Sequence, residues 1–299
     1  MTLRELDHEA CTLCPRLCGA VRGEEVGAGV CGMPYLPKLA RASLHHWEEP
    51  CLSGWRGAGT VFFSGCSLRC LYCQNEPISH GNFGTVVSIE ALQEIFQRLI
   101  GQGAHNLDLV NPTHFAWAIG KALERPLSVP VVWNSSGYER IETLQALEGK
   151  VQVYLPDFKY PDEEGGLRYS GVPDYPAIAK AAIVEMQRQT GPYLLDEEGI
   201  LQRGVLIRHL LLPGRLQQAK EVMDWVSETF PPGSVLFSLM GQYVPFGRAK
   251  ETKPLDRTIR SSELRAAIAY MQALGLSGYT QDSSSAKEAY VPSFDLSGL

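Results

Sequence analysis

The sequence predicts an α/β fold in which a parallel sheet curves into a full or partial barrel, preceded by a cysteine-rich extension. From Gly59 onward, apolar strands alternate with amphipathic helical stretches about six times. The strands are rich in Val, Ile and Leu along their whole length, which indicates burial on both faces and therefore a parallel sheet. Residues 1–58 lack this alternation and are rich in turn-forming residues. We therefore predict one unit over residues 1–58 and a second over residues 59–299.

Each of the six predicted strands runs into a polar segment. In chain order the strands are GTVFFSGC, NLDLVNP, PVVWNSS, VQVYLPDFKY, VLIRHLLLPG and VLFSLMGQY. The apolar residues of SIEALQEIFQRLI recur at helical spacing behind Ser88, a favoured N-cap residue, and predict a helix between the first two strands. The acidic turn in YLLDEEGILQRG predicts a hairpin before the fifth strand. In such folds, functional residues lie at the carboxyl ends of the strands.

The composition excludes several classes of partner. The chain has 299 residues, 44% of them hydrophobic, and a net charge of −6. Lysine and arginine are scattered rather than clustered, so neither nucleic acid nor a membrane is an expected partner. The N-terminus lacks the apolar stretch of a secretory signal, and we expect a cytoplasmic chain. Thiols stay reduced there, so eight cysteines within the first 73 residues indicate metal ligation rather than disulfides.

Three of these cysteines, Cys66, Cys70 and Cys73, follow the first strand with the spacing C-x3-C-x2-C. Thiolates are the ligands that iron–sulfur clusters prefer, and three of them leave one iron of a 4Fe–4S cluster free to bind another molecule. A zinc site would need a fourth ligand, which His80 could supply, but structural zinc sites normally use two separate knuckles. The spacing therefore favours a 4Fe–4S cluster with one open iron.

Four further cysteines, Cys11, Cys14, Cys18 and Cys31, have the spacing C-x2-C-x3-C-x12-C. Such a set could hold zinc or a second, fully ligated 4Fe–4S cluster, and both interpretations stay open. A short glycine-rich segment buries little core, so a metal centre would stabilise it. Cys51 stands alone and is expected to be a small buried apolar residue.

A carboxylate and an amine follow the fourth strand at Asp157 and Lys159. Alternation along the strand places both side chains on one face, at the rim where the cysteine loop is also expected. The residues alone leave two interpretations open, a ligand-binding pair and a structural ion pair.

The stretch GCSLRCLYCQN resembles the signature of radical S-adenosylmethionine (SAM) enzymes, and its surroundings resemble uncharacterised relatives of pyruvate formate-lyase activating enzyme. The likeness covers nearly the whole chain, including EEPCLSGWRGAGTVFFSGCSLRCLYCQN, LVNPTHF, LPDFKY, VLIRHLLLPG and GYTQDSSS. It implies a partial (β/α)6 TIM-like barrel with a C-terminal extension. It also implies that the open iron binds SAM and that one electron from the cluster splits SAM into methionine and a 5′-deoxyadenosyl radical.

The resemblance also implies roles for individual residues. The three cysteines of the loop become cluster ligands and catalytic residues, and Tyr72 matches an aromatic residue whose backbone contacts adenine. Asp157 and Lys159 match a D-x-K pair whose lysine contacts SAM, and Arg208 matches an arginine on the fifth strand. After the second strand this chain has VNPTHF where the superfamily commonly has Gly-Gly-Glu. The predicted cofactor contacts at that strand are Asn111, Thr113 and His114.

The predicted function is reductive cleavage of SAM to a radical that abstracts hydrogen from an unknown substrate. A glycyl radical enzyme is one candidate protein substrate, and a small molecule, a peptide and RNA are others. The electron would come from a reductant such as flavodoxin or ferredoxin. The alternative is a non-catalytic iron–sulfur or zinc protein in electron transfer or assembly. Asp157, Lys159 and Arg208 beside the cysteine triad favour the enzyme.

Overall fold

The computed structural model describes residues 2–7, 10–281 and 293–299, so residues 282–285 of the GYTQDSSS motif lie outside the described part. The α-helices are α1 (Leu3–Asp7), α2 (Pro50–Ser53), α3 (Glu76–Ser79), α4 (Ile89–Gly101), α5 (Ala116–Ala122), α6 (Ile141–Ala146), α7 (Glu163–Ser170), α8 (Tyr175–Thr190), α9 (Leu216–Thr229) and α10 (Ser261–Ala273). The strands are β1 (Lys38–His45), β2 (Ala58–Phe63), β3 (Thr85–Val86), β4 (Leu107–Val110), β5 (Val131–Ser135), β6 (Val153–Pro156), β7 (Leu194–Leu195), β8 (Leu201–Leu210), β9 (Leu236–Met240) and β10 (Gly278–Thr280). Thr113–Phe115 and Gly247–Glu251 form 3-10 helices.

The strands form one open sheet in the order β10-β9-β8-β6-β5-β4-β2-β1-β3. Every pairing from β2 to β10 along this order is parallel. The six strands predicted from the sequence are β2, β4, β5, β6, β8 and β9, and they lie side by side in that order. The predicted α/β fold with a parallel sheet is therefore confirmed. The predicted hairpin is confirmed as well, because β7 pairs antiparallel with β8.

The predicted helix after the first strand is α4. Its N-cap is Ser88, whose hydroxyl accepts a hydrogen bond from the Ala91 N–H at 3.1 Å. The apolar stripe is buried against the sheet at Leu92, Ile95, Phe96 and Leu99. None of the helices in the described part of the chain is long and apolar enough to cross a membrane.

The N-terminal segment contributes a strand that the sequence did not predict. Residues 1–58 were expected to be irregular, but β1 lies among them and pairs antiparallel with β2 and with β3. Its sequence, KLARASLH, contains no β-branched residue and no Phe, Tyr or Trp, so its local strand signal is weak. The strand forms where β2 offers an edge for pairing. The division near residue 58 stays a prediction.

A small apolar cluster fills the inner face of the sheet near the amino ends of the strands. Cys51 and Leu52 of α2 pack there against Val153 and Leu155 of β6 and Leu206 of β8. Cys51 is thus a buried apolar residue, as expected. Since side chains alternate along a strand, the next inward positions are Asp157 and Arg208, and they face the cavity described below.

Candidate active site

A cavity of about 440 Å³ lies at the carboxyl ends of the parallel strands. Its size falls within the range of small-molecule sites. Its lining combines apolar side chains, such as Phe62, Leu210 and Met240, with charged side chains and cysteine thiols. The lining includes most of the site residues predicted from the sequence: Cys66, Cys70, Tyr72, Cys73, Asn111, Asp157, Lys159 and Arg208.

The cysteine loop depends on two residues with left-handed backbone. Gly65, with φ of 78°, turns the chain at the end of β2, and Arg69, with φ of 54°, turns it again between the first two cysteines. The Arg69 N–H lies 3.5 Å from Cys66 Sγ, and the Cys73 N–H donates to the carbonyl of Cys70 at 3.2 Å. The loop thereby wraps around its own sulfur atoms and presents all three thiols to the cavity.

Two hydroxyl groups from outside the loop bond to the cysteine sulfurs. Ser79 of α3 donates to Cys73 Sγ at 3.3 Å, and Ser170 of α7 donates to Cys70 Sγ at 3.2 Å. Hydrogen bonds to the sulfurs tune the reduction potential of iron–sulfur clusters. Neither serine was predicted, because nothing in the local sequence links Ser170 to a loop 100 residues earlier.

The donor set fits a 4Fe–4S cluster with one open iron. Burial raises the pKa of the Cys73 thiol to about 12, and it also raises that of Cys66. Such thiols are not activated nucleophiles at neutral pH, and they ionise when a metal binds. The cavity lining contains three thiols, and His80, the fourth ligand considered for zinc, is not part of it. Its Nδ1 lies 2.8 Å from the Ser79 hydroxyl instead.

Asp157 links the two predicted cationic residues. Its carboxylate accepts hydrogen bonds from Lys159 Nζ at 2.6 Å and from Arg208 Nε at 2.8 Å. Arg208 also donates to Asn134 Oδ1 at 2.7 Å and to Glu48 Oε2 at 3.1 Å. All three predicted residues are thus held in one network that lines the cavity.

The network keeps its groups charged at neutral pH. Burial would raise the pKa of Asp157, but the charges of Arg208 and Lys159 outweigh it and lower that pKa. Burial would likewise lower the pKa of Lys159, but the Asp157 carboxylate outweighs it and raises that pKa. A fixed ammonium group at a partly desolvated rim can bind a carboxylate or hydroxyl oxygen of a ligand.

The three residues predicted after the second strand lie in two different environments. Asn111, whose φ is 60°, lines the cavity, and its amide donates to the carbonyl of Gly65. Thr113 is buried and donates to the Glu139 carboxylate. His114 is also buried, with Nε2 2.6 Å from the carbonyl oxygen of Ser64. The structure therefore brings Asn111 to the cavity and places Thr113 and His114 behind it.

Tyr72 lies between the second and third cysteines and is 6% exposed. Its ring packs edge-on against Tyr160, Tyr169 and Tyr243, with centroids 6.1 to 6.4 Å away. Tyr72 and Tyr243 line the cavity, so this aromatic cluster forms part of its wall.

Two acidic residues before α2 line the cavity but were not predicted. Glu48 bonds to Arg208, and Glu49 is 2% exposed and accepts from the Ser238 hydroxyl at 2.8 Å. The second carboxylate oxygen of Glu49 is buried and has no hydrogen-bond partner among the described residues. The sequence offered no periodic signal here, because the segment reaches the cavity only when α2 packs inside the sheet.

We expect the Glu49→Gln variant to be more stable than the parent at high pH. Burial raises the pKa of Glu49 from 4.5 to about 7. Between these values the unfolded chain releases a proton that the folded chain keeps, so stability falls as the pH rises through this window. Glutamine is uncharged, so the variant avoids the free-energy cost of ionising a buried carboxyl group. Its free energy of unfolding near pH 8 should therefore be about 2–3 kcal/mol higher than that of the parent.

Urea unfolding of both proteins across this pH range measures the effect. The difference between variant and parent should shrink as the pH falls and vanish only well below the ordinary pKa of 4.5, where the carboxyl group is protonated in both states. A difference that does not change with pH would contradict the assignment of the cost to the Glu49 charge.

Comparison with known proteins supports the cluster. Residues 53–153, which contain the loop of three cysteines, match a family model described as a 4Fe-4S single cluster domain. An uncharacterized protein of Methanocaldococcus jannaschii is 32% identical over 219 residues. The aligned region covers 70% of this chain and 60% of that protein, so the chain spans less than two thirds of its relative.

Solved structures share the fold. SuiB from Streptococcus suis, determined bound to the precursor peptide SuiA and bound to S-adenosylmethionine, has a TM-score of 0.51 at 14% identity, over 73% of this chain and 46% and 48% of the SuiB chains. A spore photoproduct lyase mutant has a TM-score of 0.50 at 12% identity, over 73% of this chain and 74% of the lyase. At these identities the likeness shows the fold alone. The predicted resemblance is thus confirmed for the 4Fe–4S domain and for the fold, which this chain shares with a structure determined bound to S-adenosylmethionine.

Proposed function

We propose that this chain is a radical SAM enzyme whose cluster is held by Cys66, Cys70 and Cys73. The observation that carries the proposal is that these three thiols and the network of Asp157 and Lys159 line the same cavity. When bound, the cluster and SAM supply a single-electron cleavage that yields methionine and a 5′-deoxyadenosyl radical able to abstract hydrogen from a substrate.

The residues of this chain bind and orient the two cofactors. Three thiols match the three protein ligands of an open 4Fe–4S cluster. Lys159 offers a positive charge to a carboxylate or ribose oxygen, and Glu48, which pairs with Arg208 at 3.1 Å, offers a negative charge. SAM carries ammonium, sulfonium and carboxylate groups, so a cavity with fixed charges of both signs suits it.

We further propose a peptide or protein as the substrate. The support is the shared fold with SuiB, whose structure was determined with a precursor peptide. A glycyl radical enzyme is the specific protein substrate that the sequence resemblance suggests. A flavodoxin or ferredoxin would supply the electron.

Anaerobic reconstitution with iron and sulfide, followed by dithionite and SAM, tests the proposal. We expect 5′-deoxyadenosine and methionine to form in equal amounts, and neither to form when dithionite is left out. A protein that contains the cluster and makes no 5′-deoxyadenosine would instead support an electron-transfer or assembly role.

A further inference from the structure

We propose that Cys11, Cys14, Cys18 and Cys31 hold a second, fully ligated 4Fe–4S cluster that delivers the electron to the cluster of the Cys66–Cys73 loop. The delivery step rests on the proposed function, whereas the presence of the second cluster does not. The four residues lie outside the matched domain, residues 53–153.

The four cysteines lie on two backbone turns, 11–20 and 28–33, each closed by backbone hydrogen bonds. The turns meet at Gly29, whose φ is 74° and where a Cβ atom would lie 2.8 Å from Cys18 Sγ. Glycine at this position therefore lets a thiol of the first turn approach the backbone of the second, which carries Cys31.

The backbone gathers the four cysteines into one small segment. In the first turn the Cys11 N–H donates to the carbonyl of Ala20 at 2.9 Å, and the Leu17 N–H donates to that of Cys14 at 3.1 Å. The second turn, which carries Cys31, lies against the Cys18 sulfur at Gly29. Cys11, Cys14 and Cys31 are buried, so soft ligands from both turns are buried in the same segment.

The ligand types and the neighbouring loop favour a cluster over zinc. All four candidate ligands are thiols, and a 4Fe–4S cluster takes its four protein ligands from cysteines. Zinc has no redox chemistry, whereas this segment packs on the loop of three cysteines, where the matched family is a 4Fe-4S cluster domain.

The first turn packs directly on the loop that holds the other cysteines. Arg16, between Cys14 and Cys18, donates from Nε to the carbonyl of Ser67 at 2.8 Å and from Nη2 to that of Ser170 at 3.1 Å. Ser170 is also the residue whose hydroxyl bonds to Cys70 Sγ. One arginine thus joins the four-cysteine segment to the immediate surroundings of the catalytic thiols.

The second turn makes the reciprocal contacts. Arg69, within the catalytic loop, donates to the carbonyl of Val30 at 3.1 Å. A Cβ atom added to Gly65, the residue before Cys66, would lie 3.1 Å from the carbonyl oxygen of Cys31. Because glycine has no side chain, the backbone next to Cys66 can pack closely against the backbone of Cys31.

The four N-terminal cysteines differ in their exposure to solvent. Cys18 is exposed, whereas Cys11, Cys14 and Cys31 are buried. A low-potential one-electron carrier protein could dock at the exposed edge and reduce the N-terminal cluster from 2+ to 1+. That cluster would return to 2+ as the catalytic cluster takes the same electron, so one electron enters for each SAM cleaved.

Metal analysis of two full-length variants tests the second cluster. With Cys66, Cys70 and Cys73 all changed to Ala, the chain should retain about four iron atoms after reconstitution and give the EPR spectrum of a reduced 4Fe–4S cluster. The reciprocal variant, with Ala at positions 11, 14, 18 and 31, should also retain about four, against about eight for the parent. Zinc, or no metal, in the first variant would overturn the proposal. If only the reciprocal variant lost all its iron, Cys66, Cys70 and Cys73 would not hold a cluster, and the result would count against the proposed function instead.

Two reductants test the delivery step, using Cys18→Ser because an exposed residue contributes little packing. Dithionite is small and should reduce the catalytic cluster of this variant nearly as well as that of the parent. Reduction by flavodoxin, followed by EPR of the catalytic cluster, should slow by at least an order of magnitude. If the variant slowed reduction by both reductants equally, or slowed neither, the relay would be overturned. The double variant Cys11→Ala and Cys18→Ala repeats the comparison with two ligands removed.

Discussion

Replacing Cys70 with Ala should abolish SAM cleavage and remove the cluster of the loop. Two thiolates remain, and they cannot hold a cube that depends on three protein ligands. The loss should be complete rather than partial, because the remaining groups around Cys70, such as the Ser170 hydroxyl, are not ligands that iron prefers. Iron content, the EPR signal and formation of 5′-deoxyadenosine should fall together.

Cys51→Ala is the matched control. Cys51 is also a buried cysteine, but it packs among the apolar side chains at the amino ends of the strands and does not line the cavity. Its loss should lower stability slightly and leave SAM cleavage unchanged. Cleavage that persists in reconstituted Cys70→Ala would refute the ligand assignment.

The six parallel strands could be predicted because each is a short apolar run bounded by turn residues, a pattern that depends only on neighbours in sequence. The strand β1 could not, since its pairing with β2 depends on an edge that exists only after the sheet has formed. The same distinction separates α4, with its apolar stripe and N-cap at Ser88, from α2, four residues whose role is to pack inside the sheet.

The site divides in the same way. Cys66 and Lys159 stand out in the sequence because spacing and alternation place them at strand ends. Glu49 and Ser170 do not, since each reaches the site from a separate element of the fold. Thr113 follows the same strand two residues after Asn111, but the 3-10 turn at Thr113–Phe115 directs it to a buried partner.

Changing Lys159 to Met should weaken SAM binding much more than it lowers stability. The lysine is the ammonium group of the network that faces the cavity, and a lost charge-assisted hydrogen bond costs about 1–3 kcal/mol, or about 5- to 150-fold in Kd. Stability should change less, because Asp157 keeps its hydrogen bond from Arg208 Nε at 2.8 Å and is not left as an unpaired buried charge. Equilibrium binding of SAM to the reconstituted protein, formation of 5′-deoxyadenosine and thermal unfolding measure the three quantities separately.

Lys121→Met provides the control for the charge change. Lys121 also pairs with a carboxylate, Glu124 at 2.7 Å, but on the exposed surface and away from the cavity. It should leave SAM binding and cleavage unchanged and alter stability little, since exposed ion pairs contribute little. If Lys159→Met bound and cleaved SAM like the parent and only melted earlier, the lysine would be a structural partner of Asp157. The alternation that places both residues on one face of the strand would then reflect an ion pair that braces the rim, and SAM would have to be held by other groups of the cavity.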